Sequence, residues 1–297
     1  MKNNLSNLTV NILTYKTNTE ILKKCINSID RSVIINIVEN SPIFKNEEYF
    51  RNLYNNINII CTGSNLGYGG GHNFGISKVK TRYVLILNPD LVCMNSYFDK
   101  LNNYLDENVN FHVIGSQYET NKMNKPAYGL FDQKKFNTNI AVDQNNLQKV
   151  DWVVGCSMLI DLNKFSNKKI FDDNFFLFYE ETDFCRTIKL NKGLVFSSKD
   201  LIIDHYGEKG SFATELDKKY SYLKLRNWHL MWSSFYYYKK NYSYNYAFKL
   251  LIGSLIKSIF KVIIFAILFN KHKCTKHLYR FLGLFNSMIG KSSSFRQ

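Results

Sequence analysis

The stretch from Asn65 to Asp90 limits what this chain can fold into more than any other. It opens Asn65-Leu66-Gly67-Tyr68-Gly69-Gly70-Gly71-His72-Asn73-Phe74-Gly75, continues into the strand-like Tyr83-Val84-Leu85-Ile86-Leu87, and stops on Asn88-Pro89-Asp90. Five of the first eleven residues are Gly. A buried strand that closes on Pro-Asp sets one carboxylate at the carboxyl edge of a sheet. In open α/β sheets that edge is where ligands bind. A lone aspartate there suits a divalent cation, and such a cation suits a diphosphate. The pattern points to a nucleotide-handling enzyme.

The flanking sequence supplies the rest of such a sheet. Leu8 to Tyr15, Val33 to Val38 and Ile57 to Cys61 are short apolar runs rich in β-branched residues. Between the first two, Ile21, Leu22, Cys25, Ile26 and Ile29 fall on one helical face. The glycine-rich segment is expected to lead into a helix that ends near Lys78. This β-α-β-α-β alternation predicts a mainly parallel sheet flanked by helices. The first strand is not followed by G-x-G-x-x-G, which argues against a dinucleotide fold. From Met94 to about Gln148 the pattern is Asn-rich and weaker, with one helix expected. Val150 to Ile160 is apolar again. Glu180 to Leu190 reads as a helix stopped by Gly193, and Leu194–Phe196 and Leu201–Ile203 read as two short strands before His205-Tyr206-Gly207.

Charge divides the chain. Residues 218–297 hold 15 Lys and Arg and no Asp or Glu, so the net charge of +15 lies entirely in that tail; residues 1–217 carry 24 of each sign. The domain boundary is therefore placed at 217. Apolar residues make up 45% of the chain, enough for a substantial core. Six scattered cysteines form no C-x-x-C pair, so they read as reduced thiols rather than as a zinc site or a disulfide framework. Met1-Lys2-Asn3-Asn4-Leu5 lacks the apolar core of a signal peptide, and a cytoplasm-facing protein is expected.

Taken in order, Thr14-Tyr15, Glu39-Asn40-Ser41, the glycine-rich segment, Asn88-Pro89-Asp90, Gly155-Cys156-Ser157, Tyr179-Glu180-Glu181-Thr182-Asp183-Phe184-Cys185 and His205-Tyr206-Gly207 form a set. The set resembles the family 2 inverting glycosyltransferases of GT-A fold, in particular their rhamnosyltransferase-like branch, over about residues 8 to 240. The resemblance implies an α/β GT-A domain over residues 1–217, with a mainly parallel central sheet, and a C-terminal helical extension over 218–297. It also implies an enzyme that moves a sugar, with inversion, from a nucleotide-diphosphate donor to a growing surface glycan.

Residue by residue, the resemblance implies that Thr14, Tyr15 and Glu39 grip the nucleoside. The family usually shows Asp where Glu39 stands, and Glu39 could instead start a solvated turn. Tyr15 could equally pack in the core. Asn65, Gly67, Gly70 and Asn73 belong to a segment that either brings backbone to the diphosphate or makes a tight strand-to-helix connection. Asn88-Pro89-Asp90 stands in place of the D-x-D motif. Asp90 would ligate Mg²⁺ or Mn²⁺ and Asn88 would bond the sugar or ribose; the alternative is a turn capping the next helix. His205 would be a second metal or phosphate contact, unless it is structural. Gly155 and Cys156 would leave room for the donor sugar or the acceptor, and Arg226 could face the diphosphate or join the basic surface.

Inversion needs a carboxylate to take the acceptor hydroxyl's proton. Glu181 falls on the base position, where the family shows Asp, with Glu180 as the alternative. Asp183 completes the catalytic set or stabilises a helix start. The run Phe175-Phe176-Leu177-Phe178-Tyr179 reads equally as a dry wall of the site or as plain core.

In the tail, Leu250 to Phe269 is apolar except for Lys257 and Lys261, and with Lys249 and Gly253 these recur every four residues. A lysine inside a span costs about 2.5–3.5 kcal/mol, whereas a helix lying in the interface avoids that cost. Peripheral attachment to an anionic membrane is expected, at the cytoplasmic face of the inner membrane, without nucleic-acid binding. A helical bundle on a partner protein is the other possibility. A membrane location suits a lipid-linked acceptor. The resemblance favours deoxythymidine-diphosphate rhamnose as donor, although related enzymes use others. Two rivals stand: a nucleotide-sugar-binding scaffold without turnover, and a nucleotidyltransferase. The second would need a basic phosphate loop near the N-terminus, where Thr14 to Glu20 offers only Lys16.

Overall fold

The computed structural model describes residues 4–107, 109–118, 127–131, 141–205 and 216–296. Strand β1 (Leu8–Thr14) is buried along nearly its whole length. Helix α1 (Thr19–Asn27) follows, capped by Asn18, whose Oδ1 accepts from the N–H of Glu20 and Ile21. It turns Leu22, Cys25 and Ile26 inward. β2 (Ile34–Glu39), α2 (Glu47–Leu53) and β3 (Ile57–Cys61) repeat the unit, and α3 (Gly67–Ile76) leads to β4 (Tyr83–Leu87). β3, β2, β1 and β4 lie side by side, all parallel, as parallel pairs joined by helical crossovers must.

The parallel rule ends at Asn88-Pro89-Asp90. This segment turns tightly, with Leu91 N donating to Asn88 O at 3.2 Å, and leads into β5 (Leu91–Cys93) instead of a crossover helix. After α4 (Tyr97–Asp106), β6 (Val113–Tyr118), β7 (Tyr128–Gly129), β8 (Leu147–Lys149) and β9 (Trp152–Val153), the chain returns as β10 (Ser157–Asp161). β10 enters the sheet antiparallel, between β4 and β6. The sheet is therefore parallel in its first four strands and mixed beyond them, in the order β3-β2-β1-β4-β10-β6-β11-β5.

Helix α5 (Glu180–Leu190) precedes β11 (Val195–His205). The residue that turns left-handed after α5 is Lys192, at φ 59°, rather than the expected Gly193. β11 is one strand where two were expected. Its register against β6 shifts between Ser197 and Ile202. There Ser198 Oγ accepts from the N–H of Asp200 and Leu201, both at 3.0 Å, and this local bonding makes the bulge that reads as a break in sequence.

Two compact units result. The first comprises residues 1–66, 70–171 and 181–211 and contains the sheet. The second comprises 67–69, 172–180 and 212–297, including α6 (Leu216–Asn241), α7 (Tyr244–Ile267) and α8 (Lys271–Met288). The core of these three helices is Met231, Phe235, Ala247, Leu251, Leu284 and Met288. A Cβ at Gly283 of α8 would collide with Trp228 O of α6, so Gly is what lets these helices approach so closely. The C-terminus is tied back to α6: Trp232 Nε1 donates to Lys291 O at 2.9 Å, and Phe295 stacks on Trp228.

Candidate active site

In the first unit the parallel register puts Thr14, Glu39 and Cys61 in one row at the carboxyl edge. Glu39 is buried there, and both its oxygens are engaged. Thr14 Oγ1 donates to Oε2 at 2.7 Å and Ser41 Oγ donates to Oε1 at 2.6 Å. The carboxylate is held in one orientation, which excludes the solvated-turn reading, and each oxygen keeps a lone pair for a further donor. Tyr15, half-buried, has the Lys16 ammonium 5.0 Å from its ring centre. Beside them, Asn40 Oδ1 accepts from Leu66 N at 2.9 Å and its Nδ2 donates to Asn65 Oδ1 at 3.1 Å. Asn65 is thereby fastened to the end of β2.

The glycine-rich segment corrects one expectation. Its glycines do not form a loop ahead of a helix; they are the helix, α3. A Cβ at Gly71 would come within 2.5 Å of Leu13, and one at Gly75 would strike the Asn11 amide and lie 2.5 Å from Val38. The reason is packing: glycine lets α3 lie directly on β1 and β2, despite its poor helix propensity. At Gly70 an added Cβ would meet only Leu66 Cβ, at 3.1 Å. Gly67 has φ +80°, and an added Cβ would collide with Phe176 O, the acceptor of the Tyr68 N–H at 2.8 Å. Asn73 is a tether: its Oδ1 accepts from Ile170 N and Phe171 N, and its Nδ2 donates to Phe171 O. His72 is fully buried, 2.9 Å from the Asn11 amide nitrogen, and burial lowers its pKa to about 3, so it is neutral.

The turn after β4 places Asn88 half-exposed and Asp90 buried. Asn88 N donates to Cys156 O at 2.8 Å, which sets the start of β10 against the end of β4. Gly155 is half-buried in the same connection. His205 stands opposite Leu91 in the β11–β5 ladder, one residue from Asp90 along the chain; its side chain lies outside the described residues, as do Tyr206 and Gly207. No group of three His, Cys, Asp or Glu side chains able to hold a metal occurs among the described residues. A single hard carboxylate at the mouth of the sheet nevertheless fits a cation that takes most of its ligands from a diphosphate.

Glu181 is the second residue of α5 and half-buried. Burial raises its pKa; its own backbone N–H and Thr182, whose hydroxyl lies 3.3 Å from Oε1, act in the opposite direction. Asp183, one turn into α5, is buried. Two further groups join the site. Tyr118 ends β6, and its hydroxyl lies 3.4 Å from Cys156 Sγ. Burial raises the pKa of both, and the negative fields of Asp90 and Glu181 act in the same direction; for Cys156 the result is about 12. Tyr118, at the end of β6, is held against Cys156, just ahead of β10. Sequence reasoning missed Tyr118, because the apolar run before it is short and lies in the Asn-rich region.

The remaining candidates belong to the second unit. Glu180 is buried at the start of α5, and Arg226 is half-buried in α6. Phe175 and Phe176 are core: Phe175 packs edge-on to Tyr236 at 4.9 Å, and Phe176 lies 4.7 Å from the His229 ring. Phe178 and Tyr179, just ahead of Glu180, both take left-handed backbone, at φ 70° and 71°. Each such residue costs on the order of 1–3 kcal/mol, and strain of this kind clusters at functional sites.

Three comparisons agree with this geometry. The family described as "Glycosyl transferase family 2" matches residues 9–192. The low-salt glycan biosynthesis hexosyltransferase Agl10 of Haloferax volcanii is 27% identical over 191 residues, which are 61% of this chain and 61% of that protein. Among solved structures, the Pyrobaculum calidifontis mannosyltransferase PcManGT with GDP-Man and Mn²⁺ superposes at TM-score 0.53 and 9% identity, covering 95% of this chain and 86% of that one. S. aureus TarS in complex with UDP superposes at 0.52 and 13% identity, covering 98% and 94%. Both show the GT-A fold. With more than half its length matched by the family, this chain belongs to glycosyl transferase family 2.

Proposed function

We propose that the protein is a metal-dependent inverting glycosyltransferase that moves a sugar from a nucleotide-diphosphate donor to a growing glycan on a lipid carrier. The observation that carries this reading is the carboxyl edge of the sheet, where the buried Glu39 is held by Thr14 and Ser41 and Asp90 is buried in the turn after β4. One carboxylate, Asp90 after β4, is assigned to the cation of the diphosphate. Another, Glu181 at the head of α5, is a base whose proton affinity burial raises. Thr14, Glu39 and Tyr15 seat the nucleoside, with Glu39 oriented by Thr14 and Ser41. Asp90, with His205 opposite the next residue, Leu91, in the β11–β5 ladder, would hold Mg²⁺ or Mn²⁺, which when bound lowers the charge of the departing diphosphate. Glu181 takes the proton of the acceptor hydroxyl as that oxygen bonds to the anomeric carbon and the diphosphate leaves from the opposite face, which inverts the centre. Tyr118 and Cys156 line the space where the sugar sits.

The donor proposed is deoxythymidine-diphosphate rhamnose, on the order of the motifs. A hexose donor is the alternative supported by the Haloferax hexosyltransferase. The test is nucleoside-diphosphate release from a panel of nucleotide sugars with Mg²⁺ or Mn²⁺, for the wild type beside Asp90→Ala and Glu181→Gln. Release from one donor, lost in both variants, supports the reading and names the donor. An axial-to-equatorial change at the anomeric proton, read by NMR, tests inversion. Donor binding without release, even with membrane extract as acceptor, would establish a non-catalytic nucleotide-sugar-binding protein instead.

A further inference from the structure

Helix α7 has two unlike faces. Ala247, Leu251 and Ser258 are buried within the helical unit. On the far side Ile256, Phe260, Ile263, Ile264 and Ile267 recur at three- and four-residue spacing and are all exposed, and Phe269 at the tip is 94% exposed. Among the described residues α7 is the one helix long and apolar enough to cross a membrane, and almost none of its apolar stretch is buried. A contiguous apolar face of this kind marks a surface that something covers.

The charge beside that face says what. Lys257 and Lys261 lie one turn apart on α7, and α8 contributes Lys276, His277 and Arg280 to the same neighbourhood. Burial and the fields of Lys261, Arg280, Lys276 and Lys257 together lower the His277 pKa to about 4, as a site crowded with cations requires. No acidic residue occurs anywhere in 218–297 to neutralise them. At the other end of α7, Tyr242 and Tyr246 stack at 4.7 Å and both are exposed, and aromatic side chains of this kind favour the headgroup level of a bilayer.

We propose that the outward face of α7 and the tip that follows it dock on a bilayer surface bearing anionic lipids, the apolar face entering the acyl boundary and the flanking cations meeting the phosphates. The helix lies on the membrane and does not span it. Its inner face is held along α8, where Phe265 stacks on His277 at 5.7 Å and Cys274 Sγ donates to Val262 O at 3.8 Å. A helix committed on one side to a basic, water-facing partner cannot be wrapped in hydrocarbon. Nucleic acid would satisfy the cations and leave the isoleucines in water. A second copy seated symmetrically on this face would bring two like-charged clusters together.

The test is sedimentation of the full chain with vesicles of phosphatidylcholine alone or mixed equally with phosphatidylglycerol, at low and high salt. Binding is expected to the mixed vesicles, weakened by salt. Lys257→Gln with Lys261→Gln is expected to weaken it about tenfold, and Phe260→Ser with Ile264→Ser by at least as much. Both pairs are solvent-accessible, so melting temperature and donor turnover in solution stay unchanged, which separates a lost surface from a lost fold. Equal recovery with and without vesicles overturns the proposal. So does a doubled mass in sedimentation equilibrium that the Phe260→Ser/Ile264→Ser pair abolishes, or retention on single-stranded RNA in place of vesicles. Donor turnover is read separately, so failure here leaves the catalytic reading standing, and the converse holds.

Discussion

The sheet unit and helix α7 use similar residues to opposite ends. In the sheet unit polar groups are drawn inside and matched. Glu39 is gripped by two hydroxyls, Tyr97, Ser116 and Ser157 share one buried cluster, and Arg82 meets the buried Asp161 through two bonds of 3.1 and 2.8 Å. On α7 apolar groups are left outside and unmatched. Burying a polar group is tolerated only with a partner inside the chain, whereas a helix can leave apolar surface uncovered until a partner arrives. The first arrangement builds a rigid site. The second leaves a surface that only association completes.

The sharpest way to test the sheet side of this contrast is Glu181→Gln. Removing the base is expected to lower transfer about a hundredfold or more, measured as product formed under donor saturation. Stability moves the other way. Because burial raises the folded-state pKa of Glu181, its protonated form is the favoured one in the fold. The stabilisation is fully present at acid pH and is lost as pH rises through the folded value, so at neutral pH the charged carboxylate destabilises. Gln removes that cost, and the variant is expected to melt no lower, and by the same linkage higher, at neutral than at acid pH relative to wild type. In the wild type the acid limb of kcat/KM lies above the ordinary glutamate range, since the protonated base is inactive.

Smaller effects separate the two regions by stability alone. Gly75→Ala forces a methyl into Asn11 and Val38 and is expected to cost about 1–3 kcal/mol, as overpacking does. Arg82→Ala leaves the nearly inaccessible Asp161 without its guanidinium and is expected to cost about 2 kcal/mol. The exposed pair Arg51–Glu47, also at 2.8 Å, is expected to be worth no more than about 0.5 kcal/mol. Gly253→Ala, in α7 with nothing within 4 Å of the new methyl, is expected to stabilise by about 0.5–1 kcal/mol. Thermal melts of these three variants and of Arg51→Ala rank them. If Gly75→Ala and Gly253→Ala moved together, the contrast between a packed and an open helix would be lost.

Much of this protein was legible in its sequence. Strand ends at Thr14, Glu39 and Leu87, the last just before Asn88-Pro89-Asp90, showed because each apolar run stops abruptly at polar residues, and the α1 face and the acid-free tail showed because periodicity and charge are local properties. Three things were decided only in three dimensions. The glycines of α3 read as a loop because propensity says so, but a sheet within a methyl's width overrides propensity. β10 enters antiparallel between β4 and β6, and strand direction is not encoded in the strand itself. Tyr118 meets Cys156 only because β6 and β10 are adjacent. Sequence settles what each segment is, since that rests on neighbours along the chain. Which segments meet rests on long-range packing, and only the folded structure contains it.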